Sequence, residues 1–544
     1  MDRPATLKRP RFLLIALLSA TALAVLGCGT GAAGREDSSD RGTGGAAGTA
    51  GAGGQGGSAS AGAVSLVFVH GKNLYGALLD SPGETRQLSD VRGSKDRLEY
   101  FRVSPDGRFV GYVVSRYEPE LYRQELMVSS LDEVAEPVLI EASPGGVATD
   151  FTWSPDGLRL AYRVNKNQGA PAWNWRIFTS QADGSDKTGV SADGIDVVQQ
   201  PNWTIAWSPD GSRIAYLAPL PTLPGYVPHT NAWAGNSDRR VTERHTIDLT
   251  WRPDGAMLAY VARNSDGALA LFTNDAMGAS EAEIPDRLHL FGSPSFLWSP
   301  DGSRIAYRRK GADGIVELYS RAADGSDERN MTGELQGQGV WYYEWNFDGS
   351  RIAYLATQDR EDQWDLYTTE VDGSNNKRMS SASDNWTVPL LPFRWSPTDD
   401  WIVFLADTVD DDKFSVVVSA GDGSAIYELS LPGHRASLGS GEEERPWSPD
   451  GEYVAFIEES EIGNSTLVTS RRDGTQRRVV YEELDFLGRG VIEHGWSPDG
   501  DIAYRADQDD PGLFELYTAD RDGSEKQKVS IPGVEVHPGF QWVR

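Results

Sequence analysis

The segment WSPDGSRIAY, residues 298–307, combines a tight turn with a short apolar strand, and it recurs along the chain. Copies of the turn follow one another at intervals of 44–54 residues. Clear copies begin at Trp153, Trp207, Trp298, Trp447 and Trp496, and variants begin at Val103, Trp251, Trp345 and Trp395. Residues 540–542 resemble the start of a further copy. This self-similarity predicts a fold built from one repeated unit.

The chemistry of the turn explains how it joins two strands. Proline sets φ to about −65° at the first central position, and glycine permits a positive φ. Asp can accept hydrogen bonds from nearby backbone amides. A polar loop, a third strand such as Leu318-Tyr319, an Asp-Gly-Ser turn such as residues 324–326 and a short last strand complete the unit. A four-stranded unit of about 45 residues is the size of a propeller blade.

The two ends of the repeat region look like complementary parts of one unit. Residues 65–90 supply a second, third and fourth strand, and residues 538–543 supply a first strand. Their pairing would close the ring and remove its exposed edges. We therefore predict an all-β propeller of about ten four-stranded blades over residues 63–544, closed by pairing of the N- and C-terminal strands. Two smaller propellers that share the ten units are the alternative.

The repeated motif resembles the TolB-like family of WD-type β-propeller repeats, and the resemblance covers residues 65–544. It implies the propeller fold and a cell-envelope setting with peptidoglycan-associated partners. TolB proteins carry an extra N-terminal domain, whereas this chain has a glycine-rich segment there. The motif residues build turns and blade contacts, so the resemblance by itself does not define a function.

The N-terminal region has the features of an exported lipoprotein. Basic residues precede an apolar stretch at residues 12–26, which is shorter than the roughly 20 residues of a membrane-spanning helix. Gly27 before Cys28 resembles the bacterial lipobox, which implies cleavage before Cys28 and lipidation of its sulfur. Gly29 in the next position resembles lipoproteins sorted to the outer membrane. The alternative for residues 1–27 is an ordinary signal peptide.

Residues 28–62 are rich in Gly, Ala, Ser and Thr. A segment of this composition cannot bury enough apolar surface to offset its ordering entropy, so we predict a disordered tether between the lipidated Cys28 and the propeller. Cys28 is the only cysteine, which leaves none for a disulfide.

Charge and histidine spacing narrow the range of functions. The formal net charge of −29 argues against nucleic-acid binding, because phosphates require a basic surface. The chain has seven histidines, and their spacing does not indicate a local zinc motif. We expect no metal, no cofactor and a monomer that meets the membrane only through its lipid. The acidic segments 407–412 and 507–510 are interpreted as solvated loops.

The irregular loops before each first strand are the candidate binding region. They contain aromatic residues and a neighbouring His-Arg pair, and aromatic and Arg side chains are frequent anchors in protein interfaces. Packing between blades explains the same residues equally well. The candidate binding residues are Trp203, Trp341, Tyr342, Trp386, His434 and Arg435.

The sequence contains no Gly-x-Ser-x-Gly nucleophile elbow. We therefore hypothesise a non-enzymatic propeller that binds an envelope protein, peptide or glycan at one face of the ring. The alternative is a propeller enzyme, a glycan lyase or hydrolase, with its site in the central channel. A pocket that joined two carboxylates and a histidine would favour the enzyme.

Overall fold

A computed structural model describes most of the chain from residue 64 to residue 543. The described ranges are 64–79, 81, 84–118, 121–143, 147–165, 175–191, 205–219, 225–284, 288–289, 295–361, 363–379, 393–407, 413–439, 445–460, 464–482 and 490–543. The proposed signal peptide, Cys28 and the tether lie outside these ranges.

The described residues form ten four-stranded antiparallel sheets, which we call blades 1–10. The strands of blade 10 are β1 Leu66–His70, β2 Asn73–Ala77, β3 Thr85–Gln87 and β40 Val536–Trp542. The strands of blades 1–4 are β4 Arg97–Val103, β5 Phe109–Glu118, β6 Leu121–Ser130, β7 Val138–Ser143, β8 Val147–Trp153, β9 Arg159–Asn165, β10 Trp175–Gln181, β11 Thr188–Gly189, β12 Ala206–Trp207, β13 Arg213–Pro219, β14 Tyr226–Ala232, β15 Arg239–Arg240, β16 Thr246–Trp251, β17 Met257–Arg263, β18 Leu269–Asp275 and β19 Ala282–Ile284.

Blades 5–9 continue the same order along the chain. Their strands are β20 Phe296–Trp298, β21 Arg304–Lys310, β22 Val316–Ala322, β23 Arg329–Asn330, β24 Val340–Trp345, β25 Arg351–Ala356, β26 Asp365–Glu370, β27 Lys377–Arg378, β28 Arg394–Trp395, β29 Trp401–Ala406, β30 Ser415–Ala420, β31 Ile426–Glu428, β32 Arg435–Ser437, β33 Tyr453–Glu459, β34 Ser465–Arg471, β35 Arg478–Glu482, β36 Val491–Trp496, β37 Ile502–Ala506, β38 Glu515–Ala519 and β39 Gln527–Lys528.

The N- and C-terminal strands close the ring, as predicted. Strand β1 pairs antiparallel with β40, and Leu66 lies opposite Trp542 in this ladder. Blade 10 therefore consists of β40 as its inner strand and β1, β2 and β3 as the strands outside it. The nine other blades are each formed by consecutive strands.

The hydrophobic core is divided into interfaces between blades. Each of ten buried clusters joins the facing sheets of two consecutive blades. One cluster packs Val67 and Leu74 of blade 10 against Val110 and Tyr112 of blade 1, which completes the circuit. Ten interfaces between ten blades define one ring, so the alternative of two smaller propellers is wrong.

The turn motif folds as its residue types predict. In blade 2 the amide of Gly157 donates to the carbonyl of Ser154 at 2.9 Å, and Gly157 has a φ of 74°. Asp156 Oδ1 accepts from the Ser154 hydroxyl at 2.5 Å and from the amide of Leu158 at 3.1 Å. The Ser and Asp side chains thus satisfy polar groups that the tight turn would otherwise leave unpaired.

The motif tryptophan has a second role that the turn chemistry does not predict. Its indole N–H donates to the main-chain carbonyl just before the tryptophan position of the preceding blade, for example from Trp447 to Arg394 at 3.0 Å. Seven further indoles make the same bond, those of Trp153, Trp207, Trp251, Trp345, Trp395, Trp496 and Trp542. These bonds tie neighbouring blades together close to the axis. The indole N–H of Trp298 has no partner among the described residues.

The strand order gives the ring two different ends. The turns between first and second strands and those between third and fourth strands lie at one end, which we call the turn face. The loops between second and third strands and the connections between blades lie at the other end, the loop face. The end of β40 and the beginning of β1 both lie at the turn face.

Candidate functional site

Two tryptophans of blade 6 meet on the loop face. Trp341 follows the first residue of β24, at a bulge between Val340 and Tyr342, and Trp364 directly precedes β26. Their ring centroids are 6.2 Å apart at an interplanar angle of 68°, an edge-to-face contact. Both side chains are half-buried, so each ring keeps a surface that a partner could cover.

Buried groups hold this aromatic pair in position. The guanidinium of Arg308, fully buried in blade 5, donates to the main-chain carbonyl of Trp341. The next residue, Tyr342, packs edge-to-face on Phe393 of blade 7 with centroids 5.4 Å apart. The hydroxyl of Tyr343 donates to the carbonyl of Ala306 at 3.1 Å. Contacts to both neighbouring blades therefore fix the strand that carries Trp341.

Two carboxylic acids lie on the inner strands deeper in the channel. Burial raises the pKa of Asp248 in blade 4 to about 6, although Ser295 and the Leu249 amide donate hydrogen bonds to it. Burial also raises the pKa of Glu344 in blade 6 to about 7, and the guanidinium of Arg394 offsets part of this effect. Both side chains keep partial contact with solvent, while the surrounding protein withholds most of their hydration.

Glu344 lies three residues beyond Trp341 on the same strand, roughly 10 Å farther into the channel at about 3.3 Å per residue. Its Oε2 is shielded from solvent and accepts no hydrogen bond in the described part of the chain. Arg394 occupies the equivalent position of blade 7. Blade 6 thus presents aromatic groups at the channel mouth and an acid within the channel.

The predicted binding residues His434 and Arg435 lie at the start of blade 8, apart from the Trp341–Trp364 pair of blade 6. His434 Nδ1 lies 3.7 Å from Glu458 Oε2, and Glu458 also accepts from Arg477 at 2.6 Å and from the Leu431 amide at 2.9 Å. Glu458 is thereby occupied in a structural network. Arg435 is exposed and begins β32. Trp203 and Trp386, as well as Cys28, lie outside the described residues.

Other clusters of polar side chains serve the blades themselves. In blade 3 the hydroxyl of Tyr216 donates to Asp238 at 2.6 Å, and His229 Nδ1 lies 3.3 Å from both oxygens of that carboxylate. The corresponding tyrosines of blades 4 and 5 donate to Glu281 and Glu328. Because the arrangement repeats with the blades, we assign it a structural role.

Within the described ranges, no group of three or more His, Asp or Glu side chains is arranged so that it could hold a metal ion.

The acidic segments 407–412 and 507–510 were interpreted as solvated loops, and this interpretation is wrong for the first residue of each segment. Asp407 and Asp507 are buried, and Asp507 accepts hydrogen bonds from the amides of Gly490 and Gly512. Its carboxylate ties a connection between blades to a loop within blade 9.

The sequence interpretation missed Trp364, Phe393, Asp248, Glu344 and Arg394. Asp248, Glu344 and Arg394 lie on inner strands, and each stands one or three residues before the tryptophan of its motif. Positions one and three residues before the motif tryptophan point toward the following blade, where Tyr342 meets Phe393 and where Gln541 Oε1 accepts from the Val103 amide at 2.9 Å. Reading these two positions in every copy of the motif would have identified the polar groups of the channel.

The ring of ten four-stranded blades defines the protein as a β-propeller. The family described as TolB beta propeller domain matches residues 174–433. The match covers 260 of the 544 residues, and over this part of the chain it confirms the resemblance to TolB-type β-propeller repeats that the motif predicts. Among the described residues no helix is long and apolar enough to span a bilayer.

Three solved structures illustrate the range of similar proteins. A eukaryotic initiation factor is 12% identical with a TM-score of 0.47, and the alignment covers 78% of this chain and 96% of that one. A putative TolB from Agrobacterium tumefaciens is 22% identical with a TM-score of 0.27, covering 45% and 84%. TolB from Acinetobacter baumannii is 16% identical with a TM-score of 0.26, covering 57% and 76%. No curated protein matches the sequence.

Proposed function

We propose that this protein is a lipid-anchored, non-enzymatic scaffold of the bacterial cell envelope that binds a protein partner on its loop face. The observation that carries this proposal is the Trp341–Trp364 pair at the channel mouth of blade 6. Large aromatic side chains held rigidly at the rim of a concave surface are typical anchors of protein interfaces. TolB-type repeats support a scaffold role in the envelope.

The position of the termini supports this arrangement. The chain enters β1 on the turn face, so a tether over residues 28–62 would leave the ring from that side. As a random coil this segment would span roughly 30–35 Å. An anchor at Cys28 would then hold the turn face toward the membrane and leave the loop face directed away from it, where a partner can reach Trp341 and Trp364.

Capture of partners from envelope extract tests the binding role. The full chain serves as bait beside the double variant Trp341→Ala/Trp364→Ala, and Phe347→Ala is the matched control. Phe347 is an aromatic residue of the same blade, 42% exposed, in the turn at the opposite face. We expect a specific protein to be retained by the parent and by the control, and to be lost with the double variant. Retention by all three would refute the proposed site.

Membrane fractionation tests the anchor separately. Cys28→Ala should move the protein from the membrane to the soluble fraction, whereas Ser58→Ala, in the same glycine-rich region, should leave it membrane-bound. If the Cys28→Ala variant remains in the membrane fraction, the lipidation proposal is wrong.

The raised pKa values of Asp248 and Glu344 favour a channel enzyme as the second candidate function. A carboxylic acid that remains protonated near neutral pH can act as a general acid, as glycan cleavage requires. The two acids stand on blades 4 and 6, with blade 5 between them. Turnover of an envelope glycan that Glu344→Gln abolishes, with the fold intact, would establish this function in place of the scaffold.

A further inference from the structure

Blade 1 carries a two-stranded arm that projects from the loop face. Its strands β5 and β6 have 10 residues each and are longer than the other described strands. The inner strand β4 pairs with β5 as far as Ser115, and the outer strand β7 pairs with β6 from Gln124 onward. The ladder between β5 and β6 continues beyond these points to Glu118 and Leu121. The arm therefore extends past the two flanking strands of its own blade.

Two tyrosines of the arm form an exposed aromatic pair. Tyr117 and Tyr122 lie opposite each other in the ladder, with ring centroids 5.1 Å apart at an interplanar angle of 49°. They are 44% and 41% exposed, more than the other described tyrosines. The Tyr122 hydroxyl lies 3.3 Å from the Ser115 hydroxyl, and the amide of Tyr117 donates to the buried carboxylate of Asp96 at 3.1 Å. The pair is thus held in place while much of its ring surface meets solvent.

The connection from blade 10 to blade 1 places cationic side chains beside this arm. The exposed charged side chains of residues 92–97 are those of Arg92, Lys95 and Arg97. Asp96, the carboxylate of the segment, points inward and accepts from Arg116 at 3.3 Å and from the Gly93 amide at 3.1 Å. Arg92 pairs with Asp90 at 2.5 Å. The outer surface of this segment is therefore positive, although the chain has a formal net charge of −29.

Arg97 and the tyrosine pair lie on one side of the sheet. Arg97 lies opposite Ser115 in the ladder of β4 and β5, and cross-strand partners point to the same side. Tyr117 follows Ser115 by two residues, so its side chain points to that side as well. Within the described ranges, Arg97 has no carboxylate within the 4.0 Å of an ion pair. An exposed guanidinium with donors available to a ligand thus accompanies two exposed aromatic rings.

We propose that Arg97, Tyr117 and Tyr122 form a binding site, which we call the arm site, for an acidic sugar unit of a polysaccharide. The C–H groups of a sugar ring carry partial positive charge and the faces of aromatic rings are negative, so the sugar packs favourably on the two tyrosines. A carboxylate on the same sugar accepts a charge-assisted hydrogen bond from Arg97. Lys95, two residues away, adds to the attraction for the anion.

The arm site is separate from the proposed partner site on blade 6. Blade 1 stands five blades from blade 6 in either direction around the ring of ten. Both sites lie on the loop face, so one ring has room for a polysaccharide at one side and a protein at the other. The two sites share no residue, and each is therefore tested without the other.

Calorimetry with trigalacturonate tests the proposal, with the full chain as receptor. We expect a dissociation constant on the order of 1 mM or below, which rises as salt screens the exposed ion pair. Maltotriose, a neutral sugar of the same length, should bind about tenfold more weakly or worse, because it offers no anion to Arg97. Triglutamate carries carboxylates without sugar rings, and it should also bind about tenfold more weakly or worse.

Receptor variants locate the site. Arg97→Glu should abolish measurable binding of trigalacturonate. Tyr117→Ala should weaken binding roughly fivefold, whereas Tyr117→Phe keeps the aromatic ring and should stay within about twofold of the parent. Arg263→Glu makes the same charge change as Arg97→Glu at an exposed loop-face position of blade 4 and should leave the affinity unchanged. The double variant Trp341→Ala/Trp364→Ala should also bind trigalacturonate as the parent does.

Three results would each overturn the proposal. The first is that trigalacturonate does not bind to the parent chain. The second is that maltotriose or triglutamate binds as tightly as trigalacturonate, which would remove the role of the carboxylate or of the sugar ring. The third is that Arg97→Glu and Arg263→Glu change the affinity equally, which would mean that the general charge of the loop face and not the arm site attracts the ligand.

Discussion

The turn face and the loop face are built from the same ten blades, yet they differ in regularity. The contacts on the turn face repeat from blade to blade, whereas those on the loop face do not. On the turn face a Ser-Asp pair closes the turn internally and the glycines stack blade on blade. On the loop face the connections vary in length and sequence, and each is held by its own contacts, such as the bond from Arg308 to the Trp341 carbonyl. The regular face therefore maintains the ring, and the variable face is free to carry recognition.

The largest expected difference in the free energy of unfolding is between alanine substitutions of two glycines of blade 4, one on each face. Gly278 on the turn face and Gly267 on the loop face have φ values of 76° and 78°. A Cβ at Gly278 would lie 2.8 Å from the carbonyl oxygen of Val241, whereas a Cβ at Gly267 would meet no atom within 4 Å. Gly267→Ala should cost about 1–2 kcal/mol through its backbone conformation alone, and Gly278→Ala about 2 kcal/mol more.

Chemical denaturation of the two glycine variants measures this difference. The parent chain gives the reference value, and the slope of each transition shows whether both variants still unfold in the same manner. Equal destabilisation by the two substitutions would show that the close contact of this turn with the end of the last strand of blade 3 does not distinguish the turn face.

The next effect concerns the tryptophan bonds between blades. Trp447→Phe removes an indole that donates to the Arg394 carbonyl at 3.0 Å, and it should cost about 1 kcal/mol more than Trp298→Phe. Trp298 makes the matched control, because its indole N–H has no partner among the described residues. Thermal unfolding of both variants measures the difference. If Trp298→Phe proves as costly as Trp447→Phe, ring packing rather than the hydrogen bond explains the loss.

A smaller effect should appear in the pH dependence of stability. Glu344 has a folded-state pKa of about 7, raised from 4.5 by burial, so the folded chain holds this proton more tightly than the unfolded chain. The stability that this proton provides is therefore complete below about pH 4.5 and is lost as the pH rises through about 7. Glu344→Gln should reduce the decline between pH 5 and pH 8 by about 1 kcal/mol, because channel water screens the charge.

Unfolding at several pH values checks this expectation, with the exposed Glu334→Gln as control. The control should follow the parent curve. A Glu344→Gln curve as steep as that of the parent would mean that this carboxyl does not titrate in the range assigned to it, and it would also weaken the case for a channel enzyme.

The contrast between the faces also explains which features of the fold and of the candidate site can be predicted from the sequence alone. The turn motif predicts the blades, their number and the closure of the ring, because those properties follow from local chemistry repeated along the chain. Trp341 and Tyr342 were named as candidate binding residues because the sequence places them in an irregular loop before a first strand, whereas they lie on strand β24 itself. Their partners Trp364 and Phe393 were missed, since pairing them requires the distance between loops and between blades. His434 looked similar to these residues in sequence, but it lies beside Glu458 in a structural network.

The most direct test of the central claim places a photo-crosslinking amino acid at Trp364 on the loop face or at Phe347 on the turn face of the same blade. Both variants are expressed in cells, irradiated, and compared for covalent products with other envelope proteins. The account predicts a specific protein crosslink from position 364 and none from position 347. A crosslink from position 347 with none from position 364 would contradict the assignment of partner binding to the loop face.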